Sequence, residues 1–138
     1  MPNSSVDVAT GAPNGQSYTA HGDGTVTDDI TGLMWQQTTP KATYAWNEAK
    51  TYCSTLTLGG FRDWRVPSAI ELVSIVDYGV ASPTPSIDIM AFPKTPADIF
   101  WSSTPVAGAS SEAWYVNFSY GYAVSTDVSE INHVRCVR

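Results

Sequence analysis

The chain has 138 residues, of which 43% are hydrophobic, 12% aromatic and 14% charged, enough apolar material for one packed domain and too little length for two cores. Seven Lys and Arg against thirteen Asp and Glu give a net charge of −6; such a surface repels phosphate backbones and anionic headgroups, so nucleic acid is not an expected partner. No apolar run approaches the ~20 residues of a membrane span, so membrane insertion is not expected, and the opening residues lack the basic and apolar regions of a signal peptide, so the leader of an exported protein would lie upstream of this sequence.

Residues 1–21 are small, polar and aperiodic and read as a flexible lead or linker, leaving 22–138 as the folded domain. The first structured signal is a hairpin: Thr25, Val26 and Thr27 are strand formers, Asp28-Asp29-Ile30-Thr31-Gly32 is turn chemistry, and Leu33 to Gln36 returns. Turn roles account for Asp23, Asp28 and Asp29, and the spacing of a calcium loop is absent, so no metal or cofactor is expected here or elsewhere in the chain. From Ala45 to Leu56, Trp46, Ala49, Cys53 and Leu56 recur at helical steps, with Thr43 as candidate cap and Gly59-Gly60 as the stop. A second helix opens at Ser68-Ala69-Ile70-Glu71, a capping box, buries Leu72, Ile75 and Val76, and ends at Tyr78-Gly79.

Residues 80–98 hold Pro83, Pro85, Pro93 and Pro96 and read as a long ordered loop, packed down through Ile87, Ile89, Met90 and Phe92. Strands are expected at Ile99 to Ser103, at Ala113 to Ser119 with Trp114, Val116 and Phe118 facing the core, and at His133 to Arg138, where Val134 and Cys136 alternate with the arginine stems. A small-residue loop, Ala107 to Ser111, separates the first two, and Gly121 marks a turn. The two cysteines, Cys53 and Cys136, lie too far apart for a zinc or redox pair; one long-range disulfide is the natural reading and two unpaired core thiols the alternative.

Several blocks then occur in a familiar order: Asp23-Gly24-Thr25-Val26-Thr27-Asp28, Thr31-Gly32-Leu33-Met34-Trp35-Gln36, Asp63-Trp64-Arg65-Val66-Pro67, Glu71-Leu72, Phe100-Trp101-Ser102-Ser103-Thr104, Trp114-Tyr115-Val116 and Val134-Arg135-Cys136-Val137. From about Gly22 to Arg138 the chain resembles the C-terminal domain family of the bacterial collagen-like adhesin Lcl. The resemblance implies an α+β, C-type-lectin-like fold, two helices packed on a small twisted antiparallel sheet with long ordered loops, in which Cys53 and Cys136 join an early helix to the last strand. Arg65-Val66-Pro67-Ser68 with Glu71 is also similar to the helix start of formylglycine-generating enzymes; Arg65 and Glu71 read as a structural pair pinning helix to sheet. The resemblance implies a secreted or surface-attached protein, since members of the family occur in such proteins; the adhesin itself binds sulfated glycosaminoglycans and forms trimers. In this chain Lys41, Lys50, Arg62, Arg65, Lys94, Arg135 and Arg138 are scattered among the acids, so a heparin-like ligand is not expected, while a homotrimer stays open.

Enzyme chemistry has little to work with, because His21 and His133 are the available near-neutral bases, no nucleophile elbow, P-loop or metalloprotease motif occurs, and the bridge takes both cysteines. The expectation is a non-catalytic recognition or adhesion domain binding glycan or a protein surface. The calcium-binding tripeptides of C-type lectins proper are absent, and Trp101-Ser102-Ser103 offers no carboxylate. The expected ligand contacts are Asn117, Tyr120, Tyr122, Asp127 and His133, because their stretch combines aromatics with hydrogen-bonding groups beside core-anchored positions. Two alternatives remain at this point. The tyrosines flank a turn and cover the sheet edge, or the domain is a structural, oligomerising cap without a small ligand.

Overall fold

The computed structural model describes residues 16–80 and 85–138, an α+β arrangement with two antiparallel sheets in place of the single expected one. The first sheet joins β1 (Tyr18–Ala20), β2 (Thr25–Asp28) and β3 (Met34–Gln36) in that order. Asp28 closes the β2–β3 turn, its Oδ1 accepting from the backbone N–H of Ile30 at 2.9 Å and of Thr31 at 3.3 Å, with Gly32 at φ +76°. Asp23 accepts from the Thr25 amide, and Asp29 from the hydroxyls of Ser17 and Thr19. Structure thus begins before Gly22, within the segment assigned to the lead; Tyr18 is held by its pairing to Asp28 and by an edge-on contact with Phe92 at 5.1 Å. The rest of that lead, 1–15, and Pro83 of the proline-rich loop lie outside the described residues.

Helix α1 (Trp46–Thr55) buries Ala49 and Cys53. Thr43 does not cap it: Ala45 is the N-cap, and Glu48 reaches back to the Ala45 amide at 3.2 Å. It also stops before the glycines, at Leu56, whose extended backbone leaves the helix while Gly59 and Gly60, both at positive φ, turn the chain so that Leu58 and Phe61 exchange both backbone bonds. Helix α2 (Ala69–Val73) opens on the expected capping box, Ser68 Oγ accepting from the Glu71 amide and Glu71 Oε1 from the Ser68 amide. It is one turn long; Leu72, Ile75 and Val76 are buried as expected, the last two from the turn that follows.

The second sheet is β4 (Ile99–Val106), β5 (Ala109–Asn117) and β6 (Tyr122–Asp127). The expected loop at 107–111 shrinks to a turn around Gly108 (φ +79°), and the β4–β5 register shifts near Pro105, which lacks a ladder donor. Both faces of this sheet are covered. Phe100, Val116 and Phe118 belong to a cluster with Trp35, Leu72, Ile75 and Phe92, while Trp101 and Ala113 belong to a second with Cys53, Trp64, Val134 and Cys136. Trp114 is half-buried, not the core residue its alternation implied.

The C-terminal segment is an extended connector, not a regular strand. It bonds to β3 through Met34 with Arg138 and Gln36 with Cys136, to Arg65 through Val137, and to β4 through His133. Lying between two clusters, it is buried on both sides, so Arg135 is 1% exposed instead of snorkelling to solvent. Its guanidinium donates to the carbonyls of Gln36 and Gln37, each at 2.6 Å, and to Thr95 Oγ1 at 2.8 Å. Cys53 and Cys136 are disulfide-bonded, with Cα atoms 5.6 Å apart, tying α1 to this connector. Among the described residues, no helix is long and apolar enough to cross a membrane.

Candidate functional site

The β5–β6 turn is built by Asn117, whose carbonyl accepts from the Tyr120 and Gly121 amides while its side-chain Oδ1 accepts from the Ser119 amide at 2.8 Å. Gly121 sits at φ +82°, and a Cβ there would lie 2.8 Å from Val76 Cγ1 and 3.2 Å from the Tyr78 ring, so only glycine lets the turn descend onto the segment after α2. Two bonds fix that approach: the Asp77 amide to the Ser86 carbonyl at 2.8 Å, and the Ser86 amide to the Phe118 carbonyl at 2.7 Å. Phe118 is buried beneath, edge-on to Phe100 at 5.2 Å.

On this anchored turn the Tyr120 and Tyr122 rings lie 5.7 Å apart at 15°, stacked and 59% and 49% exposed. Tyr78, also 59% exposed, lies against the same turn at Gly121. Beside Tyr78, buried Asp77 accepts from the Gly79 amide and lines a cleft of about 670 Å³ shared with Ile87, Asp88, Pro93 and Lys94. A rigid aromatic surface with a concave neighbour can stack on a sugar ring or a flat protein patch at little entropic cost.

The five expected contact residues do not form one site. Tyr120 and Tyr122 come together, and Asn117 holds their turn. Asp127 lies at the other end of β6, roughly 17 Å away at strand rise, where its Oδ1 accepts from the Ser129 amide and hydroxyl, which hold its carboxyl below the usual carboxylate range. His133 bridges to Phe100 on the side of β4 opposite β5, three strand spacings or roughly 14 Å from β6. Its Nε2 is 3.4 Å from Asp98, and its ring stacks on Phe100 at 5.3 Å. Tyr78 was missed because its neighbours in sequence say only that a helix ends there; the signal is the close approach at Gly121, which is a tertiary fact.

Arg65 and Glu71 form a two-pronged pair at 2.7 and 2.8 Å. That contact holds the Glu71 carboxyl below its ordinary range and pushes the Arg65 guanidinium up. The other near-neutral base, His21, is engaged with Thr27 Oγ1 at 2.6 Å. Among the described residues, no group of three or more His, Cys, Asp or Glu is placed to hold a metal ion.

No curated protein matches this chain. The family model described as the Lcl C-terminal domain matches residues 24–138, a span that includes both sheets except β1, both helices, the bridge and the tyrosine turn. Because that is the domain of an adhesin, the match points to a surface-associated role. The chain therefore belongs to the Lcl C-terminal domain family.

Proposed function

We propose that this chain is a non-catalytic, extracellular recognition domain of a bacterial surface or secreted protein, C-type-lectin-like in architecture, that binds neutral glycan or a protein surface through Tyr78, Tyr120 and Tyr122. The observation that carries this is the stacked, half-exposed tyrosine pair on a turn locked by Asn117 and Gly121. Exposed large aromatics held in one conformation lose little freedom on binding. The non-catalytic reading is supported by the engagement of His21 and His133 and by the bridging of both cysteines.

A glycan and cell-surface screen, run with and without a calcium chelator, tests it. Binding should survive chelation, and Tyr120→Ala with Tyr122→Ala should weaken it at least about tenfold while the melting temperature moves by no more than a few degrees. A folded double variant that binds like the parent overturns the tyrosine site. A second reading, an assembly cap, draws on Ile89 and Met90, 58% and 87% exposed side by side. Sedimentation separates the two: a trimer in which neither tyrosine substitution affects attachment supports the cap.

A further inference from the structure

The basic residues of this acidic chain are few enough to follow one by one. Arg65 is paired with Glu71 and Arg138 with Asp63. Lys50 Nζ lies 3.7 Å from the centre of the Trp46 ring, and Arg135 is buried. Among the described residues, Lys41, Arg62 and Lys94 have no carboxylate within ion-pair distance. Two of these three, Lys41 and Lys94, meet at one cleft of about 360 Å³, with Thr38, Thr39, Pro40, Pro96 and His133 as its other walls.

The wall of that cleft has a charge behind it. Arg135 donates to the carbonyl of Gln37, the residue before Thr38, and to the hydroxyl of Thr95, the residue between Lys94 and Pro96. Its partners are neutral, so its positive charge is not cancelled locally, and in a poorly screened interior that field extends into the cleft. Lys94 adds a second sign. Among the described residues it is the one non-glycine at positive φ, +59°, a conformation that glycine or asparagine adopts at lower cost, and such strain collects at binding sites. His133 forms another part of the wall, with its Nε2 3.4 Å from Asp98.

We propose that the cleft formed by Lys41, Lys94 and His133 in front of Arg135 is an anion subsite that takes the carboxylate of a compact ligand, of the class of an acidic monosaccharide. Its volume lies at the small end of the ~300–1,000 Å³ typical of small-molecule sites. An extended polyanion is disfavoured, because beyond these two lysines it would run over a surface of net charge −6. The threonine hydroxyls offer partners for a sugar's own hydroxyls. This site shares Lys94 with the cleft beside Tyr78 but includes none of the three tyrosines, so either reading can fail alone.

The test is an amide-resolved NMR titration of the intact chain with glucuronate, and with glucose as the uncharged control. Glucuronate should move the signals of Thr38, Lys41, Lys94 and His133 and glucose should not, with affinity falling as salt rises from ~0.05 to ~0.5 M. Lys41→Gln with Lys94→Gln should weaken binding about tenfold or more, and Tyr120→Ala with Tyr122→Ala should leave it in place. Lys94→Gly guards against a folding artefact, since it removes the charge and the backbone strain together: it should melt no lower than the parent and still lose affinity. No shifts at tens of millimolar glucuronate, on the order of the weakest useful affinities, overturn the proposal. So do equal shifts from glucose, or an unchanged affinity in the lysine variants.

Discussion

Glu71 holds three groups at once: the Arg65 guanidinium by two contacts, the Ser68 amide at the start of α2, and, through its own amide, the Ser68 hydroxyl. Its carboxyl is more acidic in the folded than in the unfolded chain, chiefly because of Arg65. The stabilisation is therefore complete above the unfolded value of about 4.3 and is lost as pH falls through the lowered folded value. Arg65 is half exposed, so solvent screens the pair and its worth is about 1 kcal/mol. Glu71→Gln should cost about that much at pH 7 and almost nothing near pH ~2, where both proteins carry a neutral group; urea midpoints at the two pH values check this, and an equal loss at both would show that only the capping geometry matters. Arg135 is the opposite case. Burial lowers its pKa to about 9, so it remains a cation at neutral pH, held by three neutral acceptors and by the faces of Phe92 and Phe100 at 4.7 and 5.8 Å.

At the scale of elements, the β5–β6 hairpin depends on one position. Gly121→Ala forces a side chain into a positive φ and places a Cβ 2.8 Å from Val76 Cγ1. The expected loss is about 2 kcal/mol, from backbone strain and overpacking together. Because the intruding methyl also meets the Tyr78 ring, the near-ultraviolet circular dichroism of the folded variant should change as well. A variant with the parent's melting temperature would mean that the turn does not press on the α2 segment as described. Helix α1 is secured differently: its N-terminal Trp46 donates to the Ser102 carbonyl at 2.8 Å, and Trp101 of β4 donates back to the Tyr44 carbonyl at 2.7 Å. Two indoles thus hold helix to sheet beside the bridge.

Across the whole molecule, the Cys53–Cys136 bond closes a separation of 83 residues, and the chain-entropy model assigns such a closure about 4.5 kcal/mol. Against a total of ~5–15 kcal/mol for an ordinary domain, that is a large share. Cys53→Ala with Cys136→Ala should lower the denaturant midpoint by the equivalent of about 2–5 kcal/mol, and reductant should lower the parent's midpoint comparably. If neither shifts, the C-terminal connector is held by its hydrogen bonds to β3, Arg65 and β4 alone. Those bonds run to both sheets, which is why the loss should appear as one cooperative transition.

The sequence by itself determined the features whose chemistry is local or strongly marked. The Asp28–Gly32 turn, the Ser68–Glu71 box, the helical face of Ala49 and Cys53 and the family blocks rest on bonds or spacings within a few residues, so they are legible without knowing what packs against what. The tertiary structure alone decided the rest. The burial of Arg135 follows from the connector lying between two clusters, and the burial of Ala113 as well as Val116 from β5 being packed on both faces. Asp127 and His133 part from the tyrosines because β6 runs away from its turn and β4 and β5 intervene. Tyr78 comes to the Gly121 turn that carries Tyr120 and Tyr122, and Lys41 shares a cleft with Lys94, because segments distant in the chain cross. Such meetings are set by strand pairing and core packing, which act between residues that carry no mark of one another in the sequence.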